Sequence, residues 1–190
     1  MQIRTVAAAL AVAFVPQLAA AQAATTAPAA QPATPVANPV SSAFRADESR
    51  VGKNLIAAAE QMPADRYDFK PTPAQMSFAD IVVHLSEGND FLCGKIAGMA
   101  APSRTKVDAK AGKDALVARL KETFAFCDQA LASVDDSKLD EQLPMFGGRT
   151  MTRAAVMTLT TGDWADHYSQ AAIYLRLNGL LPPTAKKSGT

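Results

Sequence analysis

Residues 77–98, SFADIVVHLSEGNDFLCGKIAG, carry the clearest local signal in the chain. Ser77 offers the side-chain oxygen of a helix N-cap, and Asp80 stands three residues on, in the capping-box position. Phe78, Ile81, Leu85, Leu92 and Ile96 then follow a helical repeat and trace one apolar stripe, so the stretch reads as a single long helix to about Gly98. Upstream, RYDFKPTPAQM at 66–76 holds two X-Pro steps that bias Lys70 and Thr72 toward extended backbone. It reads as a connecting loop anchored by Tyr67 and Phe69. Before it, Phe44, Val51, Leu55, Ala58 and Met62 define a helix over 44–62 that Pro63 ends.

Downstream, 99–111 reads as a loop, and Leu116, Leu120, Phe124, Cys127, Leu131 and Val134 mark a third helix over 112–134. Ser137 is placed to cap one short turn. Pro144 and the pair Gly147-Gly148 interrupt the chain before a last helix over 152–178, with Gly179 as its C-cap and Pro182-Pro183 beyond. No alternating pattern supports a sheet. Four long helices, each with one apolar stripe, predict an all-α four-helix bundle.

The N-terminus reads as a secretory signal. Arg4 precedes an uncharged, mostly aliphatic run over 5–20 that is too short to span a bilayer and is broken by Pro16. Small residues follow, placing cleavage after Ala23, with Ala21 as the alternative. No cysteine follows the run closely enough for a lipid anchor. Residues 24–43 contain four prolines and no charge, a composition that builds no core and reads as a linker. The expected organisation is a signal over 1–23, a linker over 24–43, one helical domain over 44–183 and a disordered tail over 184–190. The expected location is periplasmic or secreted. Loss of Arg4 with the signal brings the 19 basic residues level with the 18 acidic ones. A neutral chain has no electrostatic footprint for nucleic acid or for an anionic membrane surface.

On the last helix, three- and four-residue steps place Val156, Leu159, Asp163, His167, Gln170, Tyr174 and Leu177 on one face. Asp163, His167 and Gln170 therefore interrupt an apolar stripe, and a buried carboxylate and imidazole require partners. His84 lies beside the stripe of the second helix, with Glu87 three residues on along the same rim. Two readings stay open. His84, Asp163 and His167 could hold a divalent first-row metal between facing helices, or Asp163 and His167 could pair while His84 is an ordinary core-edge residue. Asp166 and Gln170 flank the same face, either solvated or, like Glu87, as hydrogen-bonding support for the ligands. Trp164, Tyr168 and Tyr174 read as packing residues.

The stretch MPADRYDFKPTPAQMSFADIVVHLSEGNDFLC, followed downstream by DHYSQAAIYLRLNGLLPP, resembles the DinB family of helical bundles, its exported members in particular. The resemblance spans nearly all of the expected domain. It implies a divalent metal, such as zinc, nickel, iron or manganese, held by one histidine of the second helix and a histidine pair four residues apart on the last. Those positions hold His84, Asp163 and His167, so an aspartate stands where the family pattern has a histidine. The resemblance further implies metal-dependent transferases that use small thiols, or hydrolases. Export weighs against the first, because small thiols are chiefly cytosolic reductants.

Two cysteines in an exported chain favour a Cys93–Cys127 disulfide over two buried thiols. Cys93 lies 16 residues past Ser77 and Cys127 lies 15 past Gly112, so the sulfurs are level only if the second and third helices run parallel. A loop of 13 residues at up to about 3.3 Å each can cross the bundle. With the last helix antiparallel to the second, His84 and His167 differ by only about 6 Å in height. The expected layout is up, down, down, up, with the crossover between helices two and three, and the DinB resemblance implies the same topology. The alternative function is a non-catalytic binding or stress-associated module, its metal site lost, holding a small molecule or a partner helix; a structural homodimer is a third. No organic cofactor is evident. Thr160, Thr161 and Ser169 lack a positioned base, so no nucleophile is assigned.

Overall fold

The second helix forms as its caps dictate. In the computed structural model, which describes residues 36–185, α2 spans Phe78–Ala97. The Asp80 amide donates to Ser77 Oγ at 3.0 Å and the Ser77 amide donates back to the Asp80 carboxylate at 3.0 Å. These bonds from Ser77 hold the Asp80 carboxyl below its usual range. Gly98 closes the helix with φ of 68°, the left-handed geometry that glycine tolerates best. The other long helices are α1, Pro39–Gln61, α3, Lys113–Leu131, and α4, Arg153–Leu177. The expected signal segment, most of the linker and the end of the tail lie outside the described residues.

Two local expectations need correction. α1 begins at Pro39 rather than near Phe44, because proline suits the first helical turn and a distant group caps it. The Asp136 carboxylate accepts from the amides of Val40 at 2.9 Å and Ser41 at 2.8 Å. That cap is supplied from 95 residues away, so no local pattern reveals it. The segment before α4 is also not featureless. Strands β1, Gln142–Pro144, and β2, Thr150–Thr152, pair antiparallel through a turn containing Gly147 and Gly148. Three residues per strand are too few to display alternation.

Contacts along the helices establish their directions. α2 and α3 meet where Asn89 donates to Thr123 Oγ1 at 3.2 Å, and again four residues further along both, where Cys93 and Cys127 stand at disulfide distance with Cα atoms 5.2 Å apart. They run parallel. Phe44 stacks on Trp164 at 5.5 Å between centroids, and Gln61 reaches the Leu181 carbonyl just past α4, so α1 and α4 are parallel too. Between α2 and α4 the order reverses. Phe78 lies beside Tyr174, His84 beside His167 and Asn89 beside Trp164. Arg45 reaches carbonyls at the end of α3 while Glu60 pairs with Lys121, which makes α1 and α3 antiparallel. The expected up, down, down, up bundle is the observed one. The crossover is pinned by Arg104, which forks onto Asp90 of α2 and reaches Glu122 of α3.

The core runs the length of the bundle through Phe78, Leu85, Ile96, Leu120, Leu131, Trp164 and Tyr174, each at most 1% exposed. Trp164 corrects the predicted face of α4. Its indole N–H donates to Asn89 Oδ1 at 2.8 Å, and burying so large a ring turns the helix by about one position. The buried face follows Val156, Thr160, Trp164, His167, Ala171 and Tyr174, leaving Asp163 and Gln170 half-buried and Leu177 exposed. Among the described residues no helix is long and apolar enough to cross a membrane.

Glu48 of α1 is a buried acid, 3% exposed. Burial, reinforced by the nearby Asp128 carboxylate, pushes its pKa up to about 8. Its folded value exceeds its unfolded one, so the fold holds this proton more tightly than the unfolded chain. Stability from this group is full below about pH 4.5 and lost as pH rises toward about 8. Glu48→Gln should flatten the stability profile over that window and raise stability at pH 8, checked by urea denaturation across pH. The disulfide closes a separation of 34 residues, for which chain entropy gives about 3–4 kcal/mol. Cys93→Ala/Cys127→Ala, or reduction of the parent protein, should therefore lower Tm by on the order of 10 °C in thermal denaturation.

Candidate metal centre

The antiparallel packing of α2 on α4 brings three donors together at mid-bundle. His84 Nε2 lies 3.3 Å from Asp163 Oδ1, and the His84 and His167 rings stack at 4.6 Å with planes inclined by 29°. His84, Asp163 and His167 each offer one ligand atom, and these atoms all lie within 4.8 Å of one another. Donors ~2.0–2.1 Å from one tetrahedral zinc ion stand ~3.4 Å apart, so closing the set draws its widest pair together by up to ~1.4 Å. His84, half-exposed at the rim, has room to make that shift.

His167 is the fixed member. It is 7% exposed, and its Nδ1 lies 2.8 Å from the Asp163 carbonyl of its own helix. A carbonyl oxygen can only accept, so Nδ1 carries the proton and the lone pair is left on Nε2. That is the tautomer a metal-binding histidine needs, set by a backbone acceptor. Asp163 lies between the two imidazoles, 3.3 Å from His84 Nε2 and 3.4 Å from His167 Nδ1. The donor set, two neutral imidazoles and a carboxylate with one side open to solvent, fits a divalent first-row metal.

No hydrogen bond joins the flanking polar residues to these donors. Gln170 Nε2 donates to the Asp166 carboxylate at 2.8 Å, one turn apart on α4, and neither is hydrogen-bonded to the triad. Glu87 is exposed and lines a separate groove of about 310 Å³ beside the crossover loop. There Arg104 and Arg119 are already engaged by Asp90 and Glu122. The support the sequence did not reveal is the Asp163 carbonyl on His167 and the Trp164–Asn89 bond next to it. The first could be read from the i, i+4 spacing alone; the second needs the packed fold. Beside the triad opens a groove of about 460 Å³, lined by His84, Asp163, Asp166 and apolar side chains of α2, α4 and the β-turn.

Fold and donor set together define a DinB-type bundle. The DinB superfamily matches residues 49–171, and the chain belongs to that superfamily. Among solved structures it is similar to a DinB-like protein from Bacillus subtilis, at 23% identity and a TM-score of 0.58, over 80% of this chain and 100% of that one. A conserved protein from Enterococcus faecalis is also similar, at 17% identity and a TM-score of 0.59, over 73% and 96%. Likeness at these identities is one of fold. No curated protein matches this sequence.

Burial separates the two histidines energetically. Without metal, His84→Ala should change unfolding free energy by less than about 0.5 kcal/mol, because the ring is half-exposed. His167→Ala removes a buried, hydrogen-bonded ring and should cost about 1–3 kcal/mol. Chemical denaturation of the chelator-treated proteins measures both.

Proposed function

We propose that this is an exported metal-binding bundle in which His84, Asp163 and His167 hold one divalent transition metal beside a groove for a small molecule. The convergence of three donors from two helices within 4.8 Å carries the reading. A carboxylate is a legitimate ligand for zinc or iron, so Asp163 serves where the family pattern has a histidine. When bound, the metal supplies Lewis acidity to a lone-pair group of the substrate, which suits hydrolysis or group transfer. His167 presents a fixed Nε2 lone pair, His84 closes the set from the rim, and the groove orients the substrate and excludes water from its apolar part.

Export is supported by the pattern over 1–23 and by a cysteine pair at disulfide distance. Charge balance argues for a small-molecule ligand rather than nucleic acid or a membrane surface. A second reading, a metal-free binding module, is favoured by Asp163 itself. Its carboxylate lies 3.3 Å from His84 Nε2 and its backbone carbonyl accepts from His167 Nδ1 at 2.8 Å, so each imidazole has a partner without a cation.

One preparation tests these points. Protein recovered from the periplasm of an expression host should begin at Ala24 by N-terminal sequencing and carry about one metal ion per chain by elemental analysis. His167→Ala and Asp163→Ala should lose the metal, and chelator should lower the Tm of the parent protein. Metal-free protein whose melting ignores both chelator and added zinc would sink the metal reading and leave the binding module.

A further inference from the structure

Four glycines lie inside the described helices, Gly52, Gly88, Gly94 and Gly162. Each weakens its helix relative to alanine, so each asks for a reason. Packing explains two. A Cβ on Gly52 would lie 2.8 Å from the Phe124 ring, and one on Gly94 would lie 2.9 Å from the Met99 carbonyl. It does not explain the others. Nothing lies within 4 Å of a Cβ at Gly162, and at Gly88 the one neighbour is Asp163 Oδ2 at 3.8 Å. These two glycines, one on α2 and one on α4, line the same groove, the one that His84 and Asp163 also line.

Apart from Asp166, the rest of that groove is apolar, walled by Phe91, Leu92, Phe146 and Leu159. Its volume, about 460 Å³, is that of a small-molecule site. Phe146 sits on the β-turn, 52% exposed, with its ring centroid 6.2 Å from that of Phe91. A cation stands over each ring, Lys95 over Phe91 at 5.6 Å and Arg149 over Phe146 at 5.2 Å, which steadies both. A large ring left half in water beside an apolar wall is accounted for when a ligand covers it.

We infer that Gly88 and Gly162 are specificity-determining residues. Their missing side chains keep open a slot for the apolar, ring-bearing body of a small molecule whose anionic or lone-pair head group meets the triad. The head-group half of this rests on the metal reading; the slot does not.

The test compares benzohydroxamate with acetohydroxamate, which share a metal-binding head group and differ only in the body. Calorimetry on zinc-loaded protein should find benzohydroxamate tighter by on the order of tenfold, the benefit of burying a ring. Gly162→Leu fills the slot with a better helix former, so it should abolish that preference while zinc content and acetohydroxamate affinity stay unchanged and Tm holds or rises. Phe146→Ala should reduce the preference in part. Equal affinities in the parent protein, or a preference that survives Gly162→Leu, overturns the slot. Failure to take up zinc is a separate outcome that removes the triad reading alone. In that case the fluorescent probe anilinonaphthalene sulfonate judges the slot: weaker binding by Gly162→Leu upholds it, and unchanged binding overturns it.

Discussion

The parallel seam between α2 and α3 is held at two successive levels, where Asn89 bonds Thr123 and, one turn on, Cys93 meets Cys127. Consecutive helices joined by a short loop normally pack antiparallel. Here the chain instead crosses the bundle between them, and Arg104 ties the crossing to both helices. Once α2 and α3 point the same way, α4 is the antiparallel neighbour of α2. His84 then falls level with Asp163 and His167, and the site exists because of that order.

Asn89 connects the seam to the site. Its amide nitrogen serves Thr123, its backbone carbonyl lies 3.7 Å from Cys127 Sγ, and its side-chain oxygen accepts from Trp164. Trp164 is fully buried and adjoins Asp163 in sequence, so this bond sets the rotation of α4 about its axis. The rotation puts His167 in the interior and leaves Asp163 at the edge of the groove. A buried polar group that is fully satisfied specifies a unique arrangement more sharply than apolar packing does, and this network has that character.

The resulting triad is asymmetric. His167 is buried with its tautomer set, His84 is half-exposed at the rim, and Asp163 lies between them. In the proposed metal-bound form, a single carboxylate would leave a divalent ion with net positive charge, which would favour an anionic or strongly lone-pair-bearing head group. The groove beside the triad asks for the opposite at the other part of the ligand, because its walls are aromatic and aliphatic and two helical glycines leave it open. Head and body are thus selected by different physics, electrostatic for one and hydrophobic for the other.

Much of this was legible in the chain. The capping box at Ser77 and Asp80, the stops at Pro63 and Gly179 and the repeats of α1, α2 and α3 are local signals, and local backbone chemistry decides them. The helix order was also readable, since two cysteines at equal depth and two histidines at compatible depth admit few arrangements. What was not legible depends on groups far apart in sequence. The cap that Asp136 supplies to α1, the turn of α4 forced by Trp164 on Asn89 and the separation of Glu87 from the triad all follow from packing. The groove belongs to the same class: a glycine in a helix reads as a weakness until its neighbours show what space it leaves. Periodicity identifies which face of a helix is apolar to within about one position, but only the volumes meeting across the bundle decide which residue of that face is buried.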